Sequence, residues 1–183
     1  MHVTLEELIA ATPDVLAAPQ DRAEISMLCR RPGFNERHFV EALEVTPEEG
    51  IAGERWTKHP WLKREDGTAH PGIQICILSK RVLDLVWRDR ETTPHPGDTF
   101  IVDMDLSEQN LPEGQLLQAG TAVLRVSGVF NDGCVKWKAR YGAAAKDWVN
   151  LPEFRSSRLR GILCSVEKPG RIANGDLLIK ISG

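Results

Sequence analysis

Cys134 carries the most chemical information in this chain. It stands in Asn131-Asp132-Gly133-Cys134-Val135-Lys136-Trp137-Lys138-Ala139-Arg140-Tyr141-Gly142, where a glycine turn hands over to a short basic helix. A thiol at a helix N-terminus faces unpaired backbone N–H groups and the positive end of the helix dipole, and both favour the thiolate, the form that attacks electrophiles and binds metals. Lys136, Lys138 and Arg140 push the same way and Asp132 opposes them. Two uses follow. As a sulfur carrier, the thiolate would attack an incoming persulfide and hold the sulfur as its own persulfide. As a metal ligand, Cys134 would be a soft donor suited to a transition metal. The alternative is a structural thiol, a small buried hydrophobe with no chemistry.

Two other clusters bear charge in a pattern. In Glu49-Gly50-Ile51-Ala52-Gly53-Glu54-Arg55-Trp56, two glycines bracket a tight turn that presents Glu54, Arg55 and Trp56 together. An arginine beside an aromatic ring suits a planar anion; the other reading is a surface turn with a packed tryptophan. Arg155-Ser156-Ser157-Arg158-Leu159-Arg160-Gly161 places three arginines before a strand. With Lys136, Lys138 and Lys146 they could cradle an anion, or simply form a solvated basic face. His59, His70 and His95 form no metal motif, and no nucleophile elbow, dinucleotide fingerprint or P-loop is present.

Composition bounds the rest. At 183 residues the chain fits one domain with a real core. Its 23 basic and 26 acidic residues give a net charge of -3 with both signs scattered, which argues against nucleic acid as a partner. Cys29, Cys76, Cys134 and Cys164 show no paired spacing and read as reduced thiols. The acidic start, Met1-His2-Val3-Thr4-Leu5-Glu6-Glu7, is unlike a signal peptide, and no apolar run approaches the ~20 residues of a membrane span. A cytoplasmic protein with no membrane partner is expected.

The elements that must position Cys134 are mostly strands. Thr4-Leu5-Glu6-Glu7 predicts a capped helix, and Thr12-Pro13-Asp14 a second helical turn ending near Pro19, so residues 1–22 read as a helical extension. Strands are expected over 23–29, 40–46, 72–78, 99–102, 122–129, 159–166 and 176–181. Helices are expected from Ser79 to Trp87 and from Cys134 to about Val149, with a break at Gly142. Many short strands with a few short helices predict a mainly β fold, a closed or nearly closed β-barrel over residues 23–183. The polar loop over 58–71 is long for a compact domain, which marks it as functional or mobile.

Several segments, in order, resemble the MOSC domain, the module at the C-terminus of molybdenum cofactor sulfurases that also occurs alone. They are Glu44-Val45-Thr46-Pro47-Glu48-Glu49-Gly50-Ile51-Ala52-Gly53-Glu54-Arg55-Trp56, Pro96-Gly97-Asp98, Asp105-Leu106-Ser107, Asn110-Leu111-Pro112-Glu113-Gly114, Gly133-Cys134, Arg160-Gly161 and Gly175-Asp176. The resemblance implies a barrel of the pyruvate-kinase-insert type and a molybdopterin-type molybdenum cofactor. It implies Cys134 as the catalytic, sulfur-carrying or metal-contacting thiol. Arg55, Lys136, Lys138 and Arg158 are expected to hold the small anionic cofactor. It further implies a cysteine desulfurase or a molybdoenzyme as partner, and either a sulfur carrier or an oxidoreductase acting on N-hydroxylated compounds at molybdenum. Trp56 stands where the family often has His, and Thr99 where it often has Asn. No candidate lysine for pyridoxal phosphate accompanies these motifs. The rival expectation is a noncatalytic interaction barrel in which Cys134 is structural.

Overall fold

Period-two patterning builds the centre of the molecule. The computed structural model describes residues 2–182. Its strands are β1 (Ala23–Ser26), β2 (Cys29–Arg30), β3 (His38–Phe39), β4 (Ala42–Thr46), β5 (Gly50–Ile51), β6 (Ile75–Ser79), β7 (Phe100–Val102), β8 (Leu116–Ala119), β9 (Ala122–Val126), β10 (Ile162–Lys168), β11 (Gly170–Ala173) and β12 (Leu177–Ile181). Seven of them close into a barrel in the order β1-β12-β8-β9-β10-β6-β7, with β7 returning to β1 through Ile25 opposite Val102. The mainly β barrel expected from the sequence is therefore the fold. Every pairing in it is antiparallel except β6 with β7, whose crossover carries a helix over Lys80–Val86.

Alternation fills the barrel with Ile25, Ile75, Ile77, Phe100, Leu124, Ile162 and Val166. The residues between them point outward, yet all five of β6 are buried because its outer face is covered twice. One cover is helical: α1 (Leu5–Leu16), α2 (Lys80–Val86) and α3 (Val135–Val149) pack Leu8, Val82, Leu83, Trp137, Tyr141 and Trp148 onto Leu78 and Ile101. The other is a small cluster in which Trp56 and Ile73 meet Cys76 and Leu163. The border between the two covers is where a cleft opens.

Some expected elements are redrawn. The strand over 23–29 is two, because Met27 at φ 53 ends the barrel strand and sends β2 off to pair with β3. Helix α1 runs through Pro13 as one piece: Thr12 does not cap a new helix, since its hydroxyl donates to the Leu8 carbonyl at 2.9 Å and accepts from Trp148 Nε1 at 2.9 Å. The capping box is present, with Glu7 N donating to Thr4 Oγ1 and Thr4 N to Glu7 Oε2. Strands β8 and β11 lie where none were expected, β8 completing a hairpin with β9 around Gly120. Helix α3 does break at Gly142, whose φ is 92. No helix among the described residues is long and apolar enough to cross a membrane.

Leu8 on α1 is fully buried against α3, whereas Leu5 is 36% exposed. Leu8→Ala should cost ~2–5 kcal/mol in urea unfolding, and Leu5→Ala within ~0.5 kcal/mol. Equal effects would show that α1 is not part of the cooperative core.

Candidate functional site

The cleft between the two covers has a volume of about 720 Å³, inside the ~300–1,000 Å³ of small-ligand sites. Cys76 and Leu163 from the outer face of β6 and β10 form its floor with Arg31 and Arg160, and Phe34, Trp61 and Phe130 rise as aromatic walls. Arg55, Lys58, Lys63, Lys136 and Cys134 complete the lining.

Cys134 is exposed, whereas Cys29, Cys76 and Cys164 are buried. It is the N-cap of α3, in extended backbone with φ -83 and ψ 178, and its sulfur makes no capping hydrogen bond. The residue before it is clamped: Gly133 N donates to Asn150 Oδ1 at 2.8 Å, and Asn150 Nδ2 donates back to Gly133 O at 3.0 Å. A Cβ on Gly133 would lie 2.6 Å from Val149 Cγ2, so only glycine fits this close approach to the far end of α3.

The cations divide. Arg55 lies 4.8 Å and Lys136 6.0 Å from the centroid of the Phe34 ring, so that ring gathers both at the cleft. Lys138 is exposed and does not line it. Arg158 lies elsewhere. It sits in the left-handed region at φ 49, its Nη1 donates to Leu111 O at 2.6 Å, and Glu108 is 3.8 Å away, all beside a separate crevice lined by Leu16 and Val82. Of the expected cations, Arg55 and Lys136 line the cleft with Cys134 and Lys138 and Arg158 do not, whereas Arg31 and Arg160, outside that set, line it too.

Those two guanidiniums are anchored from behind. Glu54 takes Arg31 Nε at 3.0 Å, Nη2 at 3.4 Å and the Arg31 backbone N at 3.0 Å. Asp98 takes Arg160 Nη1 at 2.7 Å, and the Arg160 plane lies 4.4 Å from the centroid of the Trp137 ring. Burial opposes the charge on each guanidinium, but Cys76, Glu54 and Asp98 around Arg31, and Asp98 and Cys76 around Arg160, outweigh it and hold both pKa values above the usual range. Burial pushes the Cys76 thiol up, with Arg31 pulling it back. Burial and the charge of Arg31 hold the Arg55 pKa down.

Both departures from the family pattern face inward. Trp56 is buried over Cys76, and its Nε1 donates to His70 O at 3.1 Å. Thr99 is fully buried and exchanges two hydrogen bonds with Cys76, N to O at 2.7 Å and Oγ1 from Cys76 N at 3.0 Å. His95 stands behind the site: Gly97 N donates to its Nδ1 at 3.1 Å, and its ring meets Phe39 and Trp87, each 5.2 Å away. Among the described residues, no group of three or more His, Cys, Asp or Glu side chains is disposed to hold a metal ion.

The MOSC domain profile matches residues 66–178. No curated protein matches the chain. Among solved structures, it is similar to a crystal structure of a hypothetical protein, with TM-score 0.61 and 21% identity over 88% of this chain and 69% of that one. It is similar to the YuaD protein from Bacillus subtilis, with TM-score 0.59 and 21% identity over 88% of this chain and 97% of that one. Similarity to YiiM from Escherichia coli has TM-score 0.56 and 18% identity, over 88% and 70%. At these identities the likeness is one of fold.

His95 yields a pH prediction. Burial pushes its pKa down to about 4 from an ordinary 6.5, so between those values the unfolded chain binds a proton that the folded chain does not. Stability should fall as pH drops from about 6.5 to about 4, by up to about 3 kcal/mol for this group. Urea unfolding of wild type and His95→Asn across that range checks it: the variant should show a shallower decline, and parallel curves would reject the assignment.

Proposed function

We propose that this chain, which belongs to the MOSC domain family, binds a molybdopterin-type cofactor in the cleft and uses Cys134 to carry sulfur for it or to contact its metal. The observation that carries this reading is the exposed, unbonded sulfur of Cys134 on the lining of a cleft that also presents two anchored guanidiniums and three aromatic faces. Its exposure sets Cys134 apart from the three buried cysteines and supports a chemical role over a packing one.

The residues suit such a group. Phe34, Trp61 and Phe130 offer faces for a planar ring, Arg55 and Lys136 offer charge to its anionic part, and Cys134 offers one soft ligand. When bound, a molybdenum cofactor would supply oxygen-atom and electron transfer to an oxidoreductase. In sulfur carriage, the Cys134 thiolate forms a bond to the terminal sulfur of a donor persulfide while the donor's S–S bond breaks and its thiolate departs, so no external oxidant is needed. A desulfurase holding such a persulfide is the donor class this step calls for, and a molybdoenzyme a fitting acceptor. Lys136, two residues along α3, and Arg160 line the same cleft and place positive charge near the attacking sulfur.

Incubation with a low-molecular-weight persulfide, followed by mass spectrometry of the native protein, should add one sulfur atom to Cys134 and none in Cys134→Ala. Alkylation without denaturant should modify Cys134 first and leave the three buried cysteines untouched. Arg55→Gln should weaken cofactor retention about tenfold, the worth of one charge-assisted contact, in molybdenum analysis of protein from a molybdate-replete host. Sulfur found on another cysteine, or molybdenum retention equal in Arg55→Gln, would refute this reading.

A further inference from the structure

Two arginines on the cleft floor are held in a way that ordinary surface ion pairs are not. The carboxylates behind them are almost entirely buried, with side-chain exposures of 1% for Glu54 and 0% for Asp98, while Arg31 and Arg160 keep 22% and 13% of theirs. Burying a carboxylate is costly, and here each is paired with an arginine, Asp98 through Oδ1 alone while its buried Oδ2 has no hydrogen-bond partner among the described residues. Glu54 engages Nε and Nη2 of Arg31 and leaves Nη1 with no hydrogen bond to the protein among the described residues. Asp98 engages only Nη1 of Arg160, and Trp137 covers one face, which leaves Nε and Nη2 with no hydrogen bond to the protein among the described residues. Both guanidiniums line the cleft beside Cys76, a small side chain whose thiol pKa burial pushes up.

The surroundings set the sign of the ligand. Six cationic side chains line this cleft against one carboxylate, Asp132. Arg55, Lys58, Lys63 and Lys136 make no ion pair among the described residues.

We infer that Arg31 and Arg160 form a two-pronged clamp for a tetrahedral oxyanion, the terminal phosphate of a ligand whose ring lies against Phe34 and Trp61, with Glu54 and Asp98 as positioning residues. A phosphate offers several oxygens to two separate guanidiniums, and charge-assisted hydrogen bonds of this kind are the stronger ones. The inference rests on the cleft being the ligand site proposed above and is independent of what Cys134 does. It moves the anionic contact away from Lys138 and Arg158 to residues that two different carboxylates pre-orient.

The test is calorimetric titration of the full chain, free of metal and cofactor, with inorganic phosphate and with riboflavin 5′-phosphate as a planar phosphomonoester probe, at constant ionic strength. Both should bind and compete, and riboflavin should not displace phosphate. Arg31→Gln and Arg160→Gln should each weaken both about tenfold, whereas Lys168→Gln, on the exposed end of β10, should not. Because either single change strands a buried carboxylate, the paired variants Arg31→Gln/Glu54→Gln and Arg160→Gln/Asp98→Asn are measured alongside, and they should show the same loss in a folded protein. A tighter phosphomonoester identifies a phosphorylated ring as the source, and equal affinities identify the free oxyanion; both uphold the clamp. Absence of phosphate binding to folded wild type, or unchanged affinity in folded paired variants, overturns it. Phosphate binding that survives while Cys134 takes up no sulfur would sink the sulfur reading alone.

Discussion

The contact from Arg160 Nη1 to Asp98 Oδ1 ties together parts of the molecule that nothing local would bring into register. Asp98 belongs to the turn that leads into β7, Arg160 to the segment that enters β10, and the Arg160 plane rests on Trp137 of α3. Two barrel strands and the covering helix are thus referred to one guanidinium. A buried pair of this kind gives little net stability, because desolvation offsets most of the Coulombic gain, but losing one partner costs about 3–5 kcal/mol. Its consequence is geometric: Asp98 dictates which way Arg160 faces, and that direction is into the cleft.

Strand alternation supplies the second constraint. On β6, Ile75 and Ile77 fill the barrel, which forces Cys76 and Leu78 onto the outer face. Leu78 is sealed by the helical layer, while Cys76 falls just beyond it and becomes the cleft floor. The same rule turns Leu163 of β10 outward beside it. A one-residue slip of either strand would exchange these sets and turn the isoleucines that fill the barrel outward. Thr99 guards against that slip by pairing both its backbone and its hydroxyl with Cys76.

The barrel was legible in the sequence because its longer strands alternate strongly between turn residues, as in Ile75–Ser79 and Ala122–Val126. The short pieces were not: β2, β3 and β5 are two residues each, stabilised by their partners and not by any local pattern. In the site, Cys134, Arg55 and Lys136 could be picked out because their setting is local in sequence. Arg31 carries no local signal, since only folding brings Glu54 to grip it. Arg158 and Arg160, two residues apart, looked equivalent. Left-handed residues at Arg158, φ 49, and Gly161, φ 88, turn the chain so that one guanidinium binds Leu111 O and the other enters the cleft.

The thiol and the anchored arginines come from different layers, so the width of the cleft depends on how α3 sits on the barrel. Tyr141 OH donates to Pro94 O at 2.9 Å, and Trp137 Nε1 to Ala145 O at 3.2 Å, which fixes the first half of α3 across the break at Gly142. The second half is held by Trp148 on Thr12 of α1. Its last turn then carries Val149 and Asn150, the two residues that enclose Gly133 and so place Cys134. Helix α1 does not line the cleft, yet it lies on the mechanical path to the sulfur. A ligand reaching from the barrel-side guanidiniums to Cys134 would therefore sense the packing of α1, α3 and the barrel as one unit, because buried side chains in close contact transmit small displacements instead of absorbing them.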